Sequence, residues 1–396
     1  MAETLLTGAR VFTGSHMVAA DILLRADRVA ALLPPGSPLP EGAALRRLSD
    51  GMLLAPGFID TQVNGGGGIL FNDQATVQAA LSIARAHRRF GTTALLPTFI
   101  TDTVEGMRAA GRAAAVASAM PGSGVVGVHL EGPFLAPERR GVHSLAHVRP
   151  IDAADLDFLT GLPARFGADA RVLLSLAPDR VEPAVVARLV AAGLIVAGAH
   201  SAATYAQTMA AVEAGLSGFT HLFNAMPPLA NREPGIAGAA LAARDTVCGI
   251  IADGVHVHPA MLRLALAAKG PGGLMLVTDA MPPTGTAAES FTLHGQMIHR
   301  RDGRLVTDDG TLAGADIDMA QAVRNAVALM GVGLEEALRM ASLYPARFLR
   351  LDDRLGRIRA GYQADLVLLD ADLQVAGTWV AGQWWDATAN EGEAGT

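Results

Sequence analysis

The feature that constrains this chain most is an alternation of two kinds of segment, which begins near residue 53 and continues to about residue 280. Short apolar runs of strand length alternate with alanine-rich stretches of helical length. Continuous apolar strands that alternate with helices are typical of a parallel sheet covered by helices. Eight runs of this kind favour an α/β fold with a closed (β/α)8 TIM-type barrel. They are residues 53–63, 94–99, 125–131, 171–178, 194–200, 218–223, 247–256 and 274–280.

The two ends of the chain have a different pattern. Residues 4–33 alternate apolar and polar side chains, and residues 356–385 return to short strands and turns. Such alternation indicates half-buried antiparallel strands. We therefore expect the two ends to pair in one small β-sandwich domain beside the barrel. The predicted division is a discontinuous β domain of residues 1–54 and 352–386, a metal-dependent barrel of residues 55–351, and a tail of residues 387–396.

Composition excludes several classes of partner. The formal net charge is −7 and no basic block occurs, which argues against a nucleic-acid partner. Cys248 is the single cysteine, so no internal disulfide can form, as is typical of a reducing compartment. No apolar stretch is long enough to cross a bilayer, and the first residues lack the pattern of a signal peptide. We therefore expect a cytoplasmic protein without a membrane partner.

Polar residues follow several of the apolar runs at the point where each predicted strand ends. The carboxyl ends of the strands of a barrel converge on one face, where active sites lie. One such residue alone is commonly a helix cap, a turn residue or a hydrogen-bonded histidine. Together, however, they favour a metal site, because buried charges are costly unless they are paired or bind a metal. These residues are Gln62, Asn64, His129, Glu131, His200, His221, Asp253, His256 and Asp279.

A catalytic zinc fits this set of residues. Glu131, His200 and His221 would supply one oxygen and two nitrogen ligands and leave one coordination position open for water. Asp279 could accept the proton of that water and pass it to a leaving group. His143 lies in the loop after the third run and could stabilise an oxyanion, although a surface histidine is an equal interpretation from the sequence.

Seven segments together resemble one known family. In order and spacing they are similar to the N-acetylglucosamine-6-phosphate deacetylase family of the amidohydrolase superfamily, and the similarity extends to about Trp385. This resemblance implies that the chain deacetylates N-acetyl-D-glucosamine 6-phosphate to D-glucosamine 6-phosphate and acetate. The segments are PGFIDTQVNGGGG, GVHLEGPFL, GAHSAAT, THLFNAMPPLANREPG, IADGVHVHP, VTDAMPPTG and TLAGADIDM.

The resemblance also implies roles for individual residues. Glu131, His200 and His221 match the metal ligands of the family, and Asp279 matches its catalytic acid and base. Further positions match contacts to the substrate, namely Val142, His143, Asn224, Ala225, Leu312, Ala313 and Gly314. Arg232 and His256 match a phosphate clamp that in relatives draws on the neighbouring subunit, so the resemblance implies a homodimer. The partner molecule is a phosphorylated amino sugar.

The first strand departs from many amidohydrolases. Where those proteins carry His-x-His and bind a second metal, this chain has Gln62–Val63–Asn64. Amides are poor zinc ligands compared with imidazole, so we expect Gln62 and Asn64 to lie outside the ligand set. Lys269, the single lysine, follows a predicted helix and cannot supply the carboxylated lysine that bridges two metals in other relatives. We therefore expect one divalent ion per subunit, most simply Zn²⁺.

Two other functions remain open from the sequence. The chain could hydrolyse another N-acyl substrate, such as N-acetylgalactosamine 6-phosphate or an unphosphorylated amide. It could also be an inactive barrel that serves as a scaffold, but such descendants usually lose their ligands, and here the expected ligand set and Asp279 are all present.

Overall fold

The computed structural model describes residues 3–387. Its centre is a sheet of eight parallel strands in which each strand pairs with the next along the chain. The circle is closed between its two ends, where Val63 forms a parallel bridge with Ala280. In chain order, the first to the eighth barrel strands are Phe58–Val63, Thr92–Ile100, Gly127–Glu131, Arg171–Leu176, Ile195–Gly198, Gly218–Phe219, Val247–Ile250 and Leu274–Leu276.

Helices surround the barrel, and several begin at a capping side chain. Thr103 accepts a hydrogen bond from the N–H of Gly106, and Thr204 and Gln207 form a reciprocal capping box. The helix Met319–Asn325 continues as a π-helical turn, Ala326–Met330. The α-helices are Val77–Arg88, Val104–Ser118, Ala153–Gly161, Pro183–Ala191, Tyr205–Glu213, Gly235–Ala242, Pro259–Lys269, Met319–Asn325, Leu334–Ala341 and Leu343–Phe348. Short 3₁₀ turns are formed by Pro137–Arg139 and Pro163–Arg165.

The barrel strands are buried on both faces, which explains why the sequence shows continuous apolar runs rather than alternation. All nine residues of the second strand, Thr92–Ile100, are buried. Side chains of the strands and of the inner faces of the helices form one large apolar core. This confirms the predicted TIM-type barrel.

The remaining strands of the two chain ends form a pair of packed sheets. Apolar residues of both sheets, among them Ile22, Leu54 and Trp379, share a separate core. This arrangement is consistent with the predicted β-sandwich. The six-stranded sheet has the order Gln383–Asp386, Val375–Val380, Leu366–Leu369, Leu53–Pro56, Arg10–Phe12 and Met17–Ala19. The four-stranded sheet has the order Arg28–Leu33, Asp21–Arg25, Glu3–Thr7 and Ala44–Arg47.

One predicted strand is divided in the structure. The run 53–63 is split at Gly57, so that Leu53–Pro56 joins the six-stranded sheet and Phe58–Val63 enters the barrel. A Cβ atom at Gly57 would lie 2.1 Å from the Oγ1 atom of Thr93, so the chain can pass there only with glycine. The domain boundaries at 54 and 351 stay a prediction. All of the predicted tail except Ala387 lies outside the described residues.

A small antiparallel sheet, not expected from the sequence, is inserted after the eighth barrel strand. Its strands are Ser290–Leu293, Gln296–Arg301 and Arg304–Val306. Leu293, Ile298 and Leu305 of this sheet are buried against Leu70 and Met281 in a third apolar cluster. A further hairpin, Gly65–Gly66 with Ile69–Leu70, follows the first barrel strand. Within residues 3–387, no helix is both long and apolar enough to cross a membrane.

Candidate active site

One cavity of about 500 Å³ collects side chains from the carboxyl ends of several barrel strands. Glu131 is the last residue of the third strand, and His200 and His221 follow the fifth and sixth strands by two residues each. Asp279 follows the eighth strand by three residues. All four side chains line this cavity, as expected for the catalytic face of a barrel.

Three of these side chains bring their donor atoms together. The Oε1 atom of Glu131 lies 3.2 Å from Nε2 of His200 and 2.9 Å from Nε2 of His221, and the two Nε2 atoms are 3.0 Å apart. All three residues are buried, and their ligand atoms lie within 4.8 Å of one another. One oxygen and two imidazole nitrogens in this arrangement could hold a metal ion.

The backbone turns these side chains toward the cavity in an unusual conformation. The φ angles of His200, His221 and Asp279 are +46°, +34° and +53°, in the left-handed region that side chains other than glycine seldom adopt. Each such residue costs about 1–3 kcal/mol, and residues of this kind cluster at functional sites. The strain is therefore an independent indication that these three positions are functional.

The hydrogen bonds of His200 test whether the site fits a cation. Its Nδ1 atom lies 2.9 Å from the carbonyl oxygen of Arg139, which can only accept, so Nδ1 carries a proton. In a neutral imidazole the lone pair is then on Nε2, where it faces the carboxylate of Glu131 and Nε2 of His221. Electron-rich atoms that converge in a buried site are stabilised by a cation, so the donor set fits a metal ion.

The first strand contributes amide donors. The Nε2 atom of Gln62 donates to Oε2 of Glu131 at 3.2 Å and to Oδ1 of Asp279 at 3.0 Å. Asn64 donates its Nδ2 to the same Asp279 oxygen at 2.6 Å. The amide oxygens of both residues are buried and have no hydrogen-bond partner among the described residues. Gln62 and Asn64 thus orient the two carboxylates through N–H groups.

Asp60 joins the first strand to the eighth beneath the site. Its carboxylate accepts hydrogen bonds from the backbone N–H groups of Gln62 and Thr278 and from the Thr278 hydroxyl at 2.5 Å. Asp60 is completely buried, and burial raises the pKa of its carboxyl to about 7. This cross-link fixes Thr278, the residue before Asp279, against the first strand.

Burial and neighbouring charges set the protonation of the site. Burial, together with the charge of Glu131, raises the pKa of Asp279 to about 6. For Glu131, burial acts in the same direction, but the adjacent His200 and His221 side chains outweigh it and hold the pKa well below its ordinary value. Burial also holds the pKa of His143 well below its ordinary value, so its imidazole is neutral. Asp279 thus lines the cavity with a pKa suited to proton transfer near neutral pH, whereas Asp60 does not reach the cavity.

The cavity wall also contains His256, which follows the seventh strand. Its Nδ1 donates a hydrogen bond to Oδ2 of Asp253 at 2.6 Å. Asp253 also accepts hydrogen bonds from the backbone N–H groups of Val255 and His256. Burial would raise the pKa of Asp253, but these hydrogen bonds hold it below its ordinary value. The paired imidazole is thereby held at the cavity wall.

Most of the residues expected from the sequence lie together. Arg232 is exposed and does not line the cavity, and the Ala313 side chain is buried in the cluster of the inserted sheet. His129 is buried in the barrel interior, where its Nε2 lies 2.7 Å from the hydroxyl of Ser175, and it does not reach the cavity. The expected residues that line the cavity are Asn64, Glu131, Val142, His143, His200, His221, Asn224, Ala225, His256, Asp279, Leu312 and Gly314.

Some residues in the cavity wall, or in contact with it, were not expected from the sequence. Glu138 and Arg139 lie in the loop directly after the EGPF segment, and that position alone could have indicated them. Thr101, which directly follows the second strand, contacts His143 but carries no signal that separates it from other strand threonines. The wall also includes Ile100, Gly141, Met281, Gly310 and Thr311.

Lys269 lies away from this cavity, at the end of the helix Pro259–Lys269. Its Nζ atom donates to the carbonyl oxygens of Ala240 and Ala243 and to the hydroxyl of Thr246. The ammonium group therefore caps the end of the preceding helix, Gly235–Ala242, and does not belong to the candidate metal site.

Comparisons with known proteins agree on one family. A family model described as the amidohydrolase family matches residues 53–385. An N-acetylgalactosamine-6-phosphate deacetylase of Shewanella sp. (strain ANA-3) is 46% identical over 85% of this chain and 84% of its own length. An N-acetylglucosamine-6-phosphate deacetylase of Haemophilus influenzae is 38% identical over 84% of this chain and 86% of its own length. The crystal structure of N-acetylglucosamine-6-phosphate deacetylase from Pasteurella multocida superimposes with a TM-score of 0.92 and 35% identity, covering 97% of this chain and 100% of that one.

Proposed function

The chain belongs to the amidohydrolase family, and from this premise we propose that it deacetylates N-acetyl-D-glucosamine 6-phosphate. One water is consumed, the amide C–N bond breaks and a C–O bond forms, which gives D-glucosamine 6-phosphate and acetate. The enzyme is thus a hydrolase that acts on a C–N bond other than a peptide bond. One observation carries this proposal: the donor atoms of Glu131, His200 and His221 lie close together in the cavity that Asp279 also lines.

Glu131, His200 and His221 hold one divalent ion, which we propose to be Zn²⁺. When bound, the ion polarises a carbonyl group and lowers the pKa of a water molecule. A single ion is supported by the orientation of Gln62 and Asn64, whose N–H groups rather than oxygens face the carboxylates. Amides are also poor zinc ligands compared with imidazole, so neither residue is expected to hold a second ion.

Asp279 is the proposed acid and base. It accepts the proton of the attacking water and then delivers that proton to the departing nitrogen. Its raised pKa, about 6, suits both steps, because the carboxylate predominates at neutral pH but the acid is accessible. The amides of Gln62 and Asn64 hold the carboxylate in position through the same oxygen, Oδ1.

His143 is proposed to contact the acetyl carbonyl. Its ring packs against that of His200 at an interplanar angle of 52°, with ring centroids 4.3 Å apart, so it lies next to the ligand set. A neutral imidazole that donates a hydrogen bond to the carbonyl oxygen stabilises the negative charge that develops there.

The phosphate group requires hydrogen-bond donors at one end of the cavity. We propose that His256, held by Asp253, contributes to that end within the chain. Arg232 is exposed on this chain and away from its cavity, so its proposed contribution comes from a second copy in a homodimer. The remaining proposed substrate contacts are Val142, Asn224, Ala225, Leu312, Ala313 and Gly314.

Location and domain organisation belong to the same proposal. We place the enzyme in the cytoplasm, because its one cysteine, Cys248, is free and buried and no disulfide is needed for the fold. The division into a β-sandwich of residues 1–54 and 352–386 and a barrel of residues 55–351 is supported by an apolar core that contains only residues of the two β segments. Phe12, Leu53 and Val367 of these segments pack against the barrel core.

A second substrate is favoured by one observation. The Shewanella relative, at 46% identity, is named for N-acetylgalactosamine 6-phosphate, which differs from the glucosamine compound in the configuration of one hydroxyl group. Acetate release from the two phosphorylated sugars and from unphosphorylated N-acetylglucosamine tests the proposal. We expect the highest kcat/KM for N-acetylglucosamine 6-phosphate. A higher value for the galactosamine compound would establish the alternative, and equal rates without phosphate would exclude the proposed phosphate end.

A further inference from the structure

His143 is held by Thr101, a residue that does not itself line the cavity. Thr101 directly follows the second barrel strand and is 1% exposed. Its Oγ1 atom lies 2.9 Å from Nδ1 of His143, and its backbone N–H donates to the same nitrogen at 3.4 Å. The Nε2 atom of His143 forms no hydrogen bond with any of residues 3–387, and the ring lines the cavity.

The backbone N–H and the hydroxyl of Thr101 together decide which ring nitrogen of His143 carries the proton. Oγ1 of Thr101 also lies 3.2 Å from the carbonyl oxygen of Glu131, but a hydroxyl has one proton to give. If that proton went to Glu131, Nδ1 of His143 would have to donate to Oγ1, and its N–H would then oppose the backbone N–H of Thr101. If the hydroxyl donates to Nδ1, both Thr101 donors face a lone pair and no donors oppose each other.

We infer that Thr101 is a positioning residue that holds neutral His143 with its proton on Nε2, so that the ring presents a donor to the substrate carbonyl. The inference rests on the proposed function for the identity of that carbonyl. The opposite tautomer would present a lone pair, which repels a carbonyl oxygen and cannot stabilise an oxyanion.

The surroundings of the Thr101 hydroxyl support this assignment. A Cβ atom at Gly132, whose φ is +85°, would lie 2.2 Å from Oγ1 of Thr101. Any side chain at position 132 would therefore displace the hydroxyl from His143. Gly132, which directly follows the third barrel strand, thus leaves the space in which the Thr101 hydroxyl contacts the His143 imidazole.

Nitrogen-15 NMR of the histidine rings tests the inference directly in the zinc-loaded protein. The ring signals of His143 are assigned by their loss in His143→Gln. We expect an unprotonated Nδ1 and a protonated Nε2. A protonated Nδ1, in either the neutral or the cationic ring, would overturn the inference. This measurement needs no turnover, so it remains decisive even if the proposed deacetylation is wrong.

Variants of Thr101 provide the second readout. Thr101→Val removes the hydroxyl but keeps the shape, and we expect kcat to fall about tenfold to a hundredfold with little change in KM, as for loss of a hydrogen bond that supports the transition state. Its ring-nitrogen signals should move toward a mixture of tautomers. Thr101→Ser retains the hydroxyl and should remain within about threefold of the original kcat.

The control is Thr92→Val, at the start of the same strand. Thr92 is also buried, and its hydroxyl has no hydrogen-bond partner among the described residues, so kcat and the His143 signals should not change. A Thr101→Val protein with the kcat and ring signals of Thr92→Val would refute the inference. If Thr101→Val does not fold, the tautomer in the unmodified protein and in Thr101→Ser still decides the question.

Discussion

At the scale of single residues, Asp279 is the group on which the proposed chemistry depends most. Asp279→Asn removes the base but keeps the size and the neighbours of the side chain. We expect kcat to fall by about 10³-fold, within the range typical for loss of a general acid and base, while the substrate still binds. Acetate release measures kcat, and calorimetric titration with the substrate measures binding.

The control for this variant is Asp157→Asn, an exposed aspartate on the helix Ala153–Gly161. It should have the original kcat. An Asp279→Asn protein with a near-normal kcat would remove Asp279 from the mechanism, whatever its effect on binding.

His87 gives a prediction about stability and pH. It is completely buried, its Nε2 lies 2.9 Å from the carbonyl oxygen of Gly65, and its Nδ1 has no partner among the described residues. Burial lowers its pKa from 6.5 to about 4. Between these values the unfolded chain binds more protons than the folded one, so stability is lost as the pH falls. From pH 7 to pH 5 this residue alone removes roughly 2 kcal/mol.

We therefore expect His87→Gln, which can still donate to Gly65, to lose less stability than the unmodified protein between pH 7 and pH 5. Urea-unfolding midpoints measure this difference. His16→Gln, at an exposed histidine, serves as the control and should follow the unmodified protein. A His87→Gln protein that loses stability as steeply as the unmodified one would contradict the buried, neutral state of His87.

The candidate ligands could be predicted from the sequence because charged groups directly after buried strands need a special reason to be there. Glu131, His200, His221 and Asp279 all satisfied that criterion. Thr101 could not be predicted, because a threonine at the end of a strand is ordinary and its role depends on a contact with a distant loop. The left-handed backbone at His200, His221 and Asp279 is likewise visible only in three dimensions.

At the scale of secondary-structure elements, the inserted three-stranded sheet controls one wall of the cavity. The segment that follows it contributes Gly310, Thr311 and Leu312 to that wall. Ile298 is fully buried in the small cluster beneath, whereas the adjacent Met297 is 45% exposed. Truncation of a buried isoleucine to alanine lowers the free energy of unfolding by about 2–5 kcal/mol. Here the contacts that are lost belong to a small cluster separate from the barrel core.

We expect Ile298→Ala to loosen this wall and to raise KM roughly tenfold, equivalent to about 1.4 kcal/mol of binding, without loss of the proposed metal ion. Steady-state kinetics and metal analysis measure the two quantities. Met297→Ala should leave both unchanged. An unchanged KM in Ile298→Ala would show that the inserted sheet does not contribute to substrate binding.

The strands that are most buried were the easiest to predict from the sequence. The barrel strands lie in apolar runs because both of their faces are covered, and seven of the eight runs contain one strand each. The run 53–63 contains two strands, since Gly57 allows the chain to pass between sheets without a polar break. The inserted sheet was missed because its strands are short, partly exposed and rich in charge, as in Gln296–Arg301.

At the scale of the whole molecule, the proposed homodimer makes each active site depend on Arg232 of the other subunit. Arg232→Ala and Asp279→Asn proteins should each be nearly inactive. When they are mixed under conditions that allow subunit exchange, a mixed dimer contains one complete site. We expect activity to recover toward about one quarter of that of the unmodified protein. Random pairing of equal amounts leaves about one site in four complete.

Acetate release before and after exchange measures this recovery. The Asp279→Asn protein mixed with a doubly substituted Arg232→Ala, Asp279→Asn protein is the control and should remain inactive. Subunit exchange must be shown independently. If exchange occurs and activity does not recover in the first mixture, Arg232 acts in its own subunit's site or has no part in the reaction.

The central claim is that a single ion, held by Glu131, His200 and His221, is required to deacetylate the phosphorylated sugar. Titration of metal-free protein with Zn²⁺, followed by acetate release from N-acetylglucosamine 6-phosphate, tests it most directly. We predict no activity without metal, and a linear rise that ends at one equivalent per chain. Full activity in the metal-free protein, or a rise that continues to two equivalents, would contradict the account.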